Sequence, residues 1–284
     1  MTVRLHFRAC LERSHERSNA NAPTDDISTL FTSRFDPSGV KYVRFRDPAG
    51  AVRRGEFENG HVQFGNESYS LESDEIDVLA PSDPSKIVCV GRNYAKHIDE
   101  MGSDTPDRPL LFLKGPNTVA SHGDTVTAPA GKDRIDYEAE LGVVIGEQCR
   151  HVPEADAMDV VEGFTCVNDV SNRDDQQEER NWIRGKAFDG AAPIGPVLAT
   201  PDEVPDDAFV RARVNGEVRQ YGSLEQLIFP IPELIAEITT YLTLEPGDVI
   251  ATGTPEGVGP LADGDDVEIE VEGVGTLEHS IRVP

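Results

Sequence analysis

The segment DYEAELGVVIG, residues 136–146, places two glutamates at the start of a long apolar run. Because successive side chains of a strand point to opposite faces, Glu138 and Glu140 share one face and Tyr137 lies on the other. The GVVIG that follows has no polar face, which predicts a strand buried on both sides. Two buried carboxylates on one face repel each other unless a cation lies between them or one is protonated. Because oxygen ligands suit Mg²⁺, Mn²⁺ or Ca²⁺, the pair is a candidate metal site.

A second interpretation is that these glutamates are simply solvated. The segment DVEIEVEG at 266–273 illustrates it, since Glu268, Glu270 and Glu272 alternate strictly with apolar residues, as in a half-exposed strand. The pattern alone leaves both interpretations open at 136–146 and favours the solvated one at 266–273.

A third carboxylate follows another apolar segment, GFTCVNDV at 163–170, which ends in Asn168 and Asp169. A lone aspartate after a strand is most often a turn or cap residue. Asp169 becomes a metal ligand only if the fold brings it to the glutamate pair.

The charge of the chain limits its partners. Its 284 residues contain 52 acids against 26 bases, a formal net charge of −26. Such a surface repels nucleic acid and anionic membranes. An acid excess with only six lysines is typical of a cytoplasmic protein from a high-salt organism. We therefore expect a halophilic protein that loses its fold on dialysis into low salt.

Membrane insertion and secretion are not indicated. The chain has no run of eighteen apolar residues, and its first twenty residues lack the apolar core of a signal peptide. The four cysteines, at positions 10, 89, 149 and 166, have neither metal nor disulfide spacing. These features predict a cytoplasmic, reducing location, with Cys89 and Cys166 packed as small hydrophobes.

Three parts of the chain differ in pattern. Residues 1–38 are arginine-rich without apolar periodicity, and we expect a disordered or non-core arm. Residues 39–80 predict a small N-terminal β domain, with a turn at Asn59-Gly60. A proline-containing linker separates it from residues 85–284.

Residues 85–284 are mostly short segments of strand length, with a hairpin turn at Asn215-Gly216. Helices are predicted at 94–101, 154–161, 172–182 and 232–244. Many strands with few helices predict a mainly β (α+β) fold, barrel-like or a folded sheet, and not a doubly wound one.

The segment GRNYAKHIDEMG at 91–102 places His97 three residues before Glu100. At this spacing the two are either a catalytic pair or the polar face of a short surface helix. Lysine scarcity draws attention to two others beside apolar or glycine-rich segments, Lys114 and Lys186.

Six segments together resemble the fumarylacetoacetate hydrolase superfamily. In order, they are KIVCVGRNYAKHIDEMG, PLLFLKGPNTV, DYEAELGVVIG, GFTCVNDVSNRDDQ, GKAFDGAAPIGPVL and VIATGTPEGVG, which span about 86–260. The resemblance implies a mixed β-roll fold, a homodimer, and a divalent metal held by Glu138, Glu140 and Asp169.

The resemblance also implies roles for other residues. His97 and Glu100 match a catalytic dyad, and Lys186 matches an active-site lysine. Substrate-facing positions are matched by three further residues: Arg92, Gln176 and Thr254. The large hydrolases of the superfamily carry a fourth carboxylate ligand just upstream of the histidine. Because IVCVGR (87–92) has none, the chain resembles the smaller branch of acylpyruvases, oxaloacetate decarboxylases, isomerases of the homoprotocatechuate pathway and sugar-acid dehydratases.

The expected function is a metal-dependent reaction on a small 2-oxo acid through a stabilised enolate. Hydrolysis of a C–C bond in an acylpyruvate or a fumarylacetoacetate-like diketo acid is the first expectation. Isomerisation or decarboxylation in the homoprotocatechuate pathway, and dehydration of a 2-keto-3-deoxy sugar acid, use the same enolate and are alternatives. A catalytically silent relative that binds only a metal or ligand is the alternative of another class.

Overall fold

The computed structural model describes residues 39–95 and 106–284. The expected arm at 1–38, most of the expected helix at 94–101, and the pair His97 and Glu100 lie outside the described residues. Within the described residues, no helix is long and apolar enough to span a membrane.

Strands dominate the described residues. In chain order they are β1 (Lys41–Arg46), β2 (Val52–Glu58), β3 (His61–Phe64), β4 (Glu67–Ser70), β5 (Asp77–Leu79), β6 (Ile87–Gly91), β7 (Leu110–Lys114), β8 (Val119–Ala120), β9 (Thr125–Thr127), β10 (Ile135–Tyr137), β11 (Ala139–Ile145), β12 (Val161–Asn168), β13 (Ser171–Asn172), β14 (Ala192–Ala199), β15 (Phe209–Val214), β16 (Glu217–Ser223), β17 (Val249–Ala251), β18 (Gly259–Pro260), β19 (Asp266–Val271) and β20 (Gly275–Arg282). The expectation of a mainly β fold with few helices is confirmed.

Helices are short in the described residues. The α-helices are α1 (Arg173–Glu178), α2 (Ile183–Lys186) and α3 (Ile231–Tyr241), and 3₁₀ turns span Pro116–Thr118, Glu154–Val160, Pro201–Glu203 and Leu224–Gln226. The helix expected over 172–182 is wrong in length. It ends at Glu178, and Trp182, whose φ of 58° is left-handed, separates it from α2. The 154–161 segment is a 3₁₀ helix, because its bonds close tighter turns.

The strands of the described residues form three sheets. The largest runs in the order β4-β3-β2-β1-β14-β12-β11-β17-β6-β7, with β5 beside β1 and β8 beside β14. A five-stranded sheet runs β16-β15-β19-β20-β9, and a small one runs β13-β10-β18. Since β1 is hydrogen-bonded to β14, the strands before residue 80 continue the large sheet. The division into a domain at 39–80 and one at 85–284 stays a prediction.

The local patterns have the expected structures. All seven residues of β11 are buried, because β12 and β17 cover its two edges and core side chains cover its faces. The turn at Asn215-Gly216 has φ of 51° and 77°, as a two-residue hairpin requires. On β19 the buried Val267 and Val271 alternate with half-exposed glutamates, which pair with arginines of β15.

The register of β11 against β12 positions the site. Ala139 lies opposite Asn168, so the residue before β11, Glu138, meets the residue after β12, Asp169. The Asp169 amide donates to the Glu138 carbonyl at 2.9 Å. Backbone pairing thereby places these two acidic residues side by side at adjacent strand ends.

Candidate metal centre and active site

Three carboxylates converge where β11 begins and β12 ends. Glu138, Glu140 and Asp169 each offer an oxygen, and these atoms all lie within 4.8 Å of one another. All three residues are buried, with Asp169 1% exposed. The fold therefore brings together the three predicted ligands, two through strand periodicity and the third through strand pairing.

Lys186 lies against this triad. Its Nζ donates at 2.7 Å to Oε2 of Glu138 and at 2.7 Å to Oδ2 of Asp169. Burial by itself would lower the pKa of Lys186, but the carboxylates of Asp169 and Glu138 more than offset that effect, and the pKa is raised. The side chain therefore stays an ammonium ion inside the site.

Lys114 supports the triad from the other side of Asp169. Its Nζ lies 2.6 Å from Oδ1 of Asp169 and donates to the carbonyl oxygens of Ala191, at 2.6 Å, and Val170, at 3.2 Å. The side chain is 1% exposed. Both lysines that the sequence marks as unusual therefore contact the same aspartate.

Glu140 is the least compensated of the three carboxylates. Its Oε2 accepts a hydrogen bond from the Gly253 amide at 2.8 Å, but among the described residues no lysine or arginine forms an ion pair with it. Burial first, and then the charges of Asp169 and Glu138, raise the pKa of Glu140 well above its ordinary value. A divalent cation would relieve this repulsion, so the all-oxygen donor set fits one.

A neutral hydrogen-bond chain holds the backbone of Glu138. Its amide donates to Oδ1 of Asn168 at 2.9 Å, and Nδ2 of Asn168 lies 2.8 Å from Nε2 of His279. Nδ1 of His279 lies 3.2 Å from the Ser280 carbonyl oxygen, which can only accept, so Nδ1 carries the hydrogen and Nε2 accepts. Burial lowers the pKa of His279 to about 4, so the ring is neutral. No sequence pattern marks His279, which lies on β20.

A cavity of about 460 Å³ opens above the triad. The three residues predicted to face a substrate, Arg92, Gln176 and Thr254, all line it, together with the triad and Lys186. Thr254 is fixed by Gln220, whose Nε2 donates to its hydroxyl at 2.8 Å while Oε1 accepts from the Ala139 amide at 3.0 Å. The predicted metal ligands and substrate residues thus share one cavity.

Sequence reasoning missed three charged residues of this cavity: Arg134, Asp136 and Arg173. Arg173 forms an ion pair with Glu138, donates from Nε to Asp136 at 2.8 Å, and donates from Nη1 to Gln176 at 2.7 Å. Asp136 is two residues before Glu138, so strand periodicity could have placed it on the ligand face. Arg173 is the first residue of α1 and had no distinguishing pattern.

The family model described as "Fumarylacetoacetate (FAA) hydrolase C-terminal" matches residues 86–282, and the chain belongs to this family. The resemblance seen in the six sequence segments is therefore confirmed. Oxaloacetate tautomerase YisK of Bacillus subtilis is 42% identical over 231 residues, which cover 77% of each chain.

Solved structures agree with this assignment. The crystal structure of 5-carboxymethyl-2-hydroxymuconate delta-isomerase from Mycobacterium smegmatis has a TM-score of 0.77 and 38% identity, covering 86% of this chain and 99% of that one. Fumarylpyruvate hydrolase from Pseudomonas aeruginosa, solved with Mn²⁺ and pyruvate, has a TM-score of 0.66 and 32% identity, covering 75% of this chain and 94% of that one. The relatives thus carry out different reactions on a shared fold.

Proposed function

We propose that the chain is a divalent-cation-dependent enzyme that interconverts the enol and keto forms of a small 2-oxo acid, with oxaloacetate as the first substrate to test. The observation that carries the proposal is the buried triad of Glu138, Glu140 and Asp169 in a cavity that is also lined by arginine and lysine side chains. A divalent cation held by these carboxylates would supply the Lewis acid that stabilises an enolate. The preferred cation in the proposal is Mg²⁺, with Mn²⁺ as the practical probe.

The chain's own residues would assist at several points. Lys186 holds a positive charge within 2.7 Å of two triad carboxylates, so it stabilises an oxyanion that forms beside them. Arg92, Gln176 and Thr254 line the same cavity and would orient the carboxylate of the substrate. Transfer of the C3 proton is assigned to His97, oriented by Glu100, as the resemblance implies.

Tautomerisation is proposed first because it only moves a proton between the enol oxygen and C3 and breaks no bond between heavy atoms. A relative of 42% identity is also named an oxaloacetate tautomerase. Hydrolysis of an acylpyruvate C–C bond remains the second candidate. The similarity to fumarylpyruvate hydrolase, solved with Mn²⁺ and pyruvate, supports it. Both reactions share the enolate, so the substituent on C3 selects between them.

The test follows the ultraviolet absorbance of enols in molar salt, with Mg²⁺ or Mn²⁺ added. Substrates are oxaloacetate, acylpyruvates, carboxymethyl-hydroxymuconate and 2-keto-3-deoxy sugar acids. Tautomerisation removes enol absorbance while total oxaloacetate, assayed enzymatically, stays constant. Decarboxylation yields pyruvate, and hydrolysis yields two acids.

A matched pair of variants controls the assay. Glu140→Ala should abolish turnover, whereas Glu268→Ala, which removes a half-exposed glutamate of β19, should leave it unchanged. If the wild-type protein turns over none of the substrates in the panel, the enzymatic function is refuted and a silent binding protein is favoured.

A further inference from the structure

A row of ion pairs leads from the triad to the mouth of the cavity. Beyond Lys186 and Glu138 lies Arg173, whose Nε donates to Oδ2 of Asp136 at 2.8 Å, and Oδ1 of Asp136 accepts from Nε of Arg134 at 3.1 Å. The exposed fraction of the cationic side chains rises from 3% at Lys186 through 11% at Arg173 to 53% at Arg134. The row therefore ends in a cation at the solvent edge.

The guanidinium of Arg134 is held by one edge only. Nε and Nη2 donate to the two oxygens of Asp136, at 3.1 Å and 3.3 Å. Nη1 has no partner among the residues that the structure describes. The backbone of Arg134 is fixed as well, since its carbonyl oxygen accepts a hydrogen bond from the Arg173 amide at 2.9 Å. A planar, permanently charged fork with one edge anchored is preorganised to bind a carboxylate with its remaining donors.

Neutralising Asp136 does not require Arg134. Arg173 already pairs with Asp136 at 2.8 Å and is 11% exposed, so it neutralises the buried carboxylate from inside the protein. A second arginine on the same carboxylate is surplus to that need. Its position on the cavity wall gives it a different use.

The charge balance of the cavity indicates what that use is. Among the described residues, the lining contains four carboxylates and four cationic side chains: Asp136, Glu138, Glu140, Asp169, Arg92, Arg134, Arg173 and Lys186. A bound divalent cation would add two positive charges, and the buried Lys114 beside Asp169 contributes one more. A dianion offsets more of this excess than a 2-oxo monocarboxylate does.

We infer that Arg134 binds the distal carboxylate of a 2-oxo dicarboxylate and selects such substrates over monocarboxylates. The inference rests on the proposed function, because it takes the carboxylate and 2-oxo group of the substrate to lie at the triad. Asp136 is then a positioning residue that fixes the orientation of the Arg134 guanidinium.

The test measures binding without turnover. Malate and 2-hydroxybutyrate lack the 2-oxo group and so cannot form the enolate. They differ from each other only in the distal carboxylate, which is a methyl group in 2-hydroxybutyrate. Their dissociation constants would be measured by calorimetry on the Mn²⁺-loaded protein in molar salt. The wild type should bind malate more tightly, and Arg134→Gln should weaken malate binding about 10- to 100-fold, as loss of a charge-assisted hydrogen bond predicts. Binding of 2-hydroxybutyrate should not change.

Two further variants sharpen the result. Arg134→Lys should recover malate binding only in part, since lysine keeps the charge without the fork. Arg184→Gln is the control: the Arg184 side chain is 73% exposed, pairs with Glu179 and does not line the cavity. This substitution should change the dissociation constant of neither malate nor 2-hydroxybutyrate. Equal weakening of both ligands by Arg134→Gln, or weakening of neither, would overturn the inference.

Failure of this inference and failure of the proposed function have different signatures. Absence of all turnover together with selective loss of malate binding would refute the proposed function and support the role of Arg134. Normal turnover of oxaloacetate by the wild type, with unchanged malate binding in Arg134→Gln, would support the proposed function and refute the role of Arg134.

Discussion

Glu138→Gln and Glu140→Gln should change the stability of the metal-free protein in opposite directions. Glu138 lies just before β11 and Glu140 is the second residue of that strand, and both substitutions keep the side-chain shape. Glu138 pairs with Arg173 and Lys186, whereas Glu140 has a backbone donor, Gly253, and no ion pair among the described residues. One substitution therefore breaks buried ion pairs and the other removes a buried repulsion.

The size of the Glu140 effect follows from the triad geometry. Two like charges at the 4.8 Å limit of the triad repel by about 3.5 kcal/mol at an effective dielectric constant of about 20. Two carboxylates repel Glu140, and the Gly253 amide and the charge of Lys186 offset part of that repulsion. We expect Glu140→Gln to raise the free energy of unfolding by about 1–3 kcal/mol, since proton uptake by Glu140 relieves part of the strain.

Glu138→Gln should have the opposite sign. Removing one partner of a buried ion pair costs about 3–5 kcal/mol when the other charge is left alone. In Glu138→Gln, Lys186 still pairs with Asp169 and Arg173 still pairs with Asp136. The expected loss of unfolding free energy is therefore smaller, about 1–3 kcal/mol.

The pH dependence gives a second signature. The folded pKa of Glu140 is raised above the unfolded value, so the folded state binds more protons between the two. The contribution of Glu140 to stability is therefore most favourable below the unfolded pKa and falls as pH rises toward the folded pKa. The Glu140→Gln protein should lack this part of the pH dependence of the unfolding free energy. In acid, its stability advantage over the wild type should disappear.

The assay is denaturant unfolding of chelator-treated protein in molar salt across the pH range, with Glu268→Gln as the control for loss of one acidic charge. Mn²⁺ titration of both variants should show lost or greatly weakened binding. Destabilisation by Glu140→Gln, as by Glu138→Gln, would show that Glu140 is not under net repulsion. A wild-type pH dependence of the unfolding free energy in Glu140→Gln would show the same.

Three further predictions concern single residues. Glu140→Ala should abolish metal binding and turnover together, whereas His97→Ala should remove turnover and leave Mn²⁺ binding intact; near-full activity of the second variant would exclude the dyad. Lys114→Met should lower the free energy of unfolding by about 3 kcal/mol, since it breaks a fully buried ion pair. Lys132→Met, which removes a half-exposed pair, should cost much less, and equal losses on denaturation would contradict this. The pKa of His279 is lowered to about 4 in the folded protein, against an ordinary 6.5. The contribution of His279 to stability is therefore complete above pH 6.5 and is lost as the pH falls toward 4. His279→Gln should flatten the plot of unfolding free energy against pH in that window, and an unchanged plot would show that His279 does not titrate there.

Local periodicity was enough to predict much of the site. The two-residue repeat of a strand places Glu138 and Glu140 on one face whatever the fold around them. The apolar run after them predicts a fully buried strand, and β11 is one. The order of six segments indicated the family, and the family model confirms it.

Other features depend on contacts between distant parts of the chain. Asp169 joins the triad because Ala139 is registered against Asn168, and a shift of one residue in that pairing would turn it away. The partners Lys114 and His279 come from strands far away in sequence, and no local pattern marks their contacts.

The sequence by itself therefore determined the carboxylate face, the buried strand and the family, because these depend on side-chain alternation and on residue order within short segments. Only the tertiary structure decided which cations compensate Glu138 and Asp169, why none of the described lysines and arginines pairs with Glu140, and where Arg134 lies. The physical reason is that electrostatic pairing depends on distances of a few ångströms between side chains. Strand register and burial set those distances across the sheet.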